Sequence, residues 1–189
     1  MNPAPPQPPR SPRSSQSKSE IGLLGEALIA EWLKSQDWAV LHQRWHCRWG
    51  EIDLIAQQPA KPSQTRSPLT TLVFVEVKTR SGNNWDADGL LAITAQKQTK
   101  LWQTAELFLS SHPELAELPC RFDVALVACQ ALSKAQPQPE NISEDKIQAA
   151  RLAMSTAISN RREAIAQGQP IAIGSYRLSL KDYIQAAFT

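Results

Sequence analysis

Apolar residues along the chain recur first at helical spacing. From Ser19 or Glu20 to about Ser35, residues Ile21, Leu23, Leu24, Leu28, Ile29, Trp32 and Leu33 form one stripe, which predicts a helix. The pattern then changes. Residues 38–46 (WAVLHQRWH) and 51–56 (EIDLIA) predict two strands joined by a turn at 47–50, hence an antiparallel hairpin. Beyond a proline-containing loop at 57–71, residues 72–79 (LVFVEVKT) predict a strand apolar enough to be central. A loop through SGNNWDADG leads to a predicted helix over 94–111. Leu101, Ala105, Phe108 and Leu109 mark its apolar side, and His112-Pro113 stops it. Residues 121–129 (RFDVALVAC) predict a strand. Residues 143–167 predict a long, weakly amphipathic helix that Ser143 caps and Gly168 ends. A last strand at 171–180 and a short helix at 181–188 complete the order, which describes a mixed sheet with helices on its faces.

Charge interrupts this pattern in three places. Glu76 and Lys78 share one face of the apolar strand, while Val73, Val75 and Val77 share the other. Glu51 and Asp53 likewise share a face opposite Ile52 and Leu54. In the first helix, Leu23, Ile29, Ala30 and Leu33 fall within about 60° of Glu26 around the axis, so this acid points toward the sheet. A buried carboxylate must be paired, protonated or bound to metal. Taken singly, each acid is more often a structural ion pair or a solvated side chain. Taken together, three inward acids on three elements are expected to share a cation, and Mg²⁺ accepts a few carboxylates plus water.

Composition adds limits. Residues 1–19 (MNPAPPQPPRSPRSSQSKS) hold six of the fourteen prolines and no large apolar residue after Met1. Such a tail is expected to be disordered, leaving 20–189 as one domain. It contains no apolar run of the kind found in a signal peptide or membrane anchor. The net charge of +2 resides in residues 1–20, and the rest carries 17 basic against 17 acidic residues. Any nucleic-acid surface must therefore be a local patch. Cys47, Cys120 and Cys129 form no CxxC pair, and free thiols in a reducing cytoplasm are expected.

The blocks GLLGEALIAEWL, RWGEIDLIA, LVFVEVKTR, QKQTKLWQTAELFL, RFDVALV and YIQAAF follow the order of the bacterial YraN-like proteins. Over about 20–130 and the last dozen residues, the chain resembles that family. Through it, the chain resembles the restriction-endonuclease-like (PD-(D/E)xK) nucleases, especially Holliday-junction resolvases. The resemblance implies a restriction-endonuclease-like α/β fold and Mg²⁺-dependent (or Mn²⁺-dependent) hydrolysis of DNA, with branched or repair intermediates as substrates. It implies Glu26 as a helix-borne acid, Asp53 and Glu76 as metal ligands with the Val77 carbonyl, and Lys78 as the signature lysine. A homodimer follows by analogy with resolvases. Ile52 stands where the superfamily's name has proline. The loop at 57–71 and the helical segment at 133–170 read as insertions. Rival readings are a non-catalytic nucleic-acid-binding or scaffold protein on the same fold, and a hydrolase of another phosphodiester.

Arg44, Arg48, Arg80, Gln96, Lys97 and Lys100 are candidate nucleic-acid contacts. In RWHCRW (44–49), Trp45 and Trp49 either stack on bases or belong to the core. His42, His46 and Cys47 are weak zinc candidates, because HxxxH suits a helix and this stretch reads as strand.

Overall fold

The computed structural model describes residues 13–60, 70–81, 93–132 and 156–188. The expectations for the tail to residue 12, for most of the 57–71 loop, for SGNNWDADG beyond Ser81 and for the start of the 133–170 segment lie outside these residues.

Helix α1 spans Arg13–Ser35. It starts six residues before the expected Ser19, directly after the last tail proline, Pro12. Serine and lysine cost little when they extend a helix already anchored by packing. Strands β1 (Ala39–Cys47) and β2 (Gly50–Gln58) form the expected hairpin, with Arg48-Trp49 as its turn. Strand β3 is Thr71–Ser81, and α2 is Ala95–Ser111 with Thr94 as N-cap and His112 as C-cap. Strand β4 is Cys120–Ala131.

The C-terminal third departs most from expectation. Residues 156–159 are helical, a turn follows at 160–161, and α3 covers only Arg162–Ala166. The Arg161 N–H bonds to the Ile158 carbonyl three residues back, so the expected continuous helix is interrupted here. The expected strand 171–180 is instead a hairpin of β5 (Ile171–Ile173) and β6 (Tyr176–Phe188). Gly174, at φ 54°, supplies the left-handed turn residue. The expected helix at 181–188 is strand. It pairs along β4 through two register shifts, which satisfies backbone groups a helix would have left open on β4.

The sheet order is β1-β2-β3-β4-β6-β5. Only β3 and β4 run parallel. This is the expected mixed α/β sheet with helices on its faces. One core lies under α1, where Leu24, Leu28, Ile29 and Leu33 meet Val73, Val75, Ala125 and Val127. The other lies under α2, where Phe108 and Leu101 meet Phe74, Phe122 and Val124. Among the described residues, no helix is long and apolar enough to cross a membrane.

Candidate active site

Glu76 lies in the middle of β3 and is only 4% exposed. Val73 and Val75 pack under α1, while Leu72 and Phe74 pack under α2. Alternation therefore turns Glu76 and Lys78 toward α2. Lys78 Nζ donates to Glu76 Oε1 at 2.5 Å. Lys97, in the first turn of α2, donates to the same oxygen. The other oxygen, Oε2, is buried and has no hydrogen-bond partner among the described residues.

Asp53 breaks the expected alternation of β2. Ile52 and Ile55 both pack under α2, while Leu54 packs under α1. The strand thus turns at Asp53, where the β2–β3 ladder ends at Leu54 opposite Val75. Continued by one rung, that register sets Asp53 against Glu76. Asp53 Oδ2 accepts the Val77 N–H at 2.7 Å, so its carboxylate reaches β3. Burial, then the charge of Glu76, pushes the Asp53 carboxyl up to about 7 against the pull of Val77, Lys97 and Lys78. Burial works against the charge on Lys97, but the hydrogen bond and charge of Glu76 outweigh it and raise its pKa.

On the outer side of Asp53, Arg44 occupies the matching rung of β1, between the Gln43–Leu54 and Trp45–Ile52 pairs. Its φ is 54°, uncommon for arginine. Arg44 Nε sits 2.6 Å from Glu51 and 3.7 Å from Glu26. Glu26 is therefore tied to Arg44. The expected cluster of three acids around one cation does not form among the described residues. Among the described residues, no three His, Cys, Asp or Glu side chains converge to hold a metal. The donor set that fits Mg²⁺ is the pair Asp53 and Glu76, whose buried Oε2 lacks a partner.

The candidate contacts separate. Gln96, Lys97 and Lys100 line a cleft of about 380 Å³ together with Asp53, Glu51 and Trp49. Arg44 is committed to carboxylates, and the Arg48 guanidinium lies 5.0 Å over the Trp49 ring. Arg80 is exposed two residues beyond Lys78. Trp45 packs edge-on to Phe108, in the core, whereas Trp49 is 42% exposed. The zinc candidates face different neighbours. His42 meets the rings of Phe108 and His112, His46 meets the Arg44 carbonyl, and Cys47 meets Thr104. All three cysteines are free.

Two features escaped the sequence reading. Lys97 was expected to touch phosphate, yet it pairs with Glu76; its place one turn after the Thr94 cap was the available signal. Asp123 was not singled out. It is fully buried and accepts from Arg121, from the Tyr183 hydroxyl at 2.9 Å and from the Ala186 N–H at 2.9 Å. The Arg-x-Asp spacing on one strand face was legible as a pair.

A profile of the uncharacterised protein family UPF0102 matches residues 25–127. A UPF0102 protein of Acaryochloris marina is 50% identical over 171 residues, covering 90% of each chain. One from Trichodesmium erythraeum is 44% identical over 173 residues, covering 90% of this chain and 89% of its own. One from Synechocystis is 43% identical over 171 residues, covering 90% of this chain and 98% of its own. The chain thus belongs to the UPF0102 family, the YraN-like group that its sequence blocks resemble.

Proposed function

We propose that the protein is a divalent-metal-dependent nuclease of the cytoplasm that acts on DNA. One observation carries the reading. Asp53 and Glu76 come together across adjacent strands, and one Glu76 oxygen is buried without a partner among the described residues, beside two lysines. Asp53, Glu76 and the Val77 carbonyl would hold the ion. Bound there, Mg²⁺ or Mn²⁺ would supply Lewis acidity and a lowered pKa for water. Lys78 and Lys97 place two ammonium groups beside the carboxylates, where they can balance the charge of an approaching phosphodiester. The Val77 N–H holds Asp53 in position, and Arg44 holds Glu26 and Glu51 back from it.

The test is incubation with linear, flapped and four-way DNA in Mg²⁺ or Mn²⁺. The expected result is strand scission that requires the ion and disappears in Asp53→Ala. Scission that survives this substitution arises elsewhere, and wild-type protein that cuts none of the three contradicts the reading. A non-catalytic DNA-binding role has one supporting observation. Among the described residues, no three His, Cys, Asp or Glu side chains converge to hold a metal, while Lys78 and Lys97 gather at Glu76. Binding without scission in the same experiment selects that role.

A further inference from the structure

The cleft beside Asp53 extends beyond the carboxylates, and its outer part has no task in holding a metal. Its walls come from the turn of the β1–β2 hairpin and the first turns of α2. Trp49 stands at the turn, one of the few large apolar side chains left exposed among the described residues. Its backbone N–H donates to Cys47 Sγ at 3.4 Å, the Cys47 thiol reaches Thr104 of α2 at 3.9 Å, and the Arg48 guanidinium lies over one face of its ring. The opposite wall carries Leu101 at depth and Gln96 and Lys100 toward the mouth. No acidic residue occupies the first turn of α2, so its N-terminal field is unopposed from within the helix.

An aromatic plane, an amide with both donors and acceptor, and an exposed ammonium are what a nucleobase and its phosphate require. The size selects among nucleic acids. The whole cleft, the part beside Asp53 included, measures about 380 Å³, near the lower end for small-molecule sites, so what enters it is no larger than about one nucleotide. Resting on the nuclease reading above, we propose that this cleft takes a single unpaired nucleotide of DNA next to the phosphodiester held at Asp53 and Glu76. Its base would lie on Trp49, and its phosphate would face Lys100. Unpaired bases are the ones that can enter, because a paired base must first be extracted from its stack. The substrate class is then DNA carrying an unpaired nucleotide.

The experiment compares two duplexes of one sequence with the full chain at low salt and without divalent ion. One is fully paired, and the other has a single bulged nucleotide. A third duplex carries an abasic residue in place of the bulged nucleotide. The expected result is bulge binding at least about fivefold tighter than either alternative. Trp49→Ala should remove that preference. Trp49→Phe, which keeps an aromatic plane, should retain most of it and guards against a folding defect. Equal binding of bulged and paired duplexes overturns the inference and leaves the nuclease reading standing, as does a preference that survives Trp49→Ala. Failure to bind any of the three duplexes also overturns the inference, while the nuclease reading is decided separately by scission in Mg²⁺ or Mn²⁺.

Discussion

Asp53 sits where the β2–β3 ladder stops, and its carboxylate takes the Val77 N–H in place of a further backbone carbonyl. That position explains its electrostatics. Burial and Glu76 both disfavour its charge, raising its pKa from an ordinary 3.8 to about 7. The sign of the consequence follows. A carboxyl with a raised folded-state pKa binds its proton more tightly folded than unfolded, so it stabilises the fold at low pH. That contribution is lost as pH rises from about 4 through about 7, by up to about 4 kcal/mol. Urea unfolding in EDTA at pH 5 and pH 8 should show metal-free wild type weaker at pH 8, with the difference much reduced in Asp53→Asn. A pH profile unchanged by the substitution would contradict the assignment. Sequence alternation had located Asp53 as an oddly placed acid, and it had placed Glu76 and Lys78 together. It did not reveal that Asp53 leaves the regular pleat, because a strand's period carries no sign of where its ladder ends. Nor did it reveal Lys97, because a partner 21 residues distant depends on how a helix docks.

At the scale of elements, α1 approaches β3 at Gly25. A Cβ added there would lie 1.9 Å from the Thr79 hydroxyl oxygen and 3.1 Å from the Thr79 Cβ. Helix propensity alone favours Gly25→Ala by about 1 kcal/mol. The contact should reverse that sign, giving a loss of about 1–3 kcal/mol in chemical denaturation as α1 is pushed outward. Addition of Thr79→Ala to the same chain should restore part of it. A Gly25→Ala protein more stable than wild type would refute the close approach. The apolar stripe that predicted α1 could not show this, since it marks a buried face and not its separation from the sheet. Strand β6 has its own anchor. Asp123 joins Arg121 on β4 to Tyr183 and the Ala186 N–H on β6, where Ala186 adopts φ 47°. Asp123→Ala leaves the half-buried Arg121 without its carboxylate and should cost about 3–5 kcal/mol in thermal or urea unfolding. A loss below about 1 kcal/mol would show that the network contributes little. YIQAAF looked helical from its alanines and its spacing. Strand was imposed by the open edge of β4, a long-range demand that outweighs weak local propensity.

Over the whole molecule, the parallel β3–β4 pair sets the geometry. The helix that crosses between them begins beside Glu76, so one connection delivers Lys97 and Lys100 to the carboxylates. The mixed sheet and its flanking helices were legible because period-two and period-3.6 segments alternate cleanly up to residue 131. Beyond that the signals were weak and the strand pairing non-local. Charge is balanced beyond residue 20, and two lysines at the site already face Glu76. Few cations therefore remain to displace counterions from DNA. Log-log plots of binding constant against salt between 50 and 200 mM should have a slope of magnitude below about 5. A slope near ten would require a broad basic surface that the described residues do not present.

On the proposed function, Asp53 and Glu76 jointly hold one divalent ion, and calorimetric titration of Mn²⁺ into the metal-free full chain measures this. The predicted result is one ion bound per chain, with affinity falling at least about tenfold in Asp53→Asn and in Glu76→Gln. Unfolding curves would confirm that both variants remain folded. Wild-type protein that binds no ion, or folded variants that bind it as tightly as wild type, would contradict the claim.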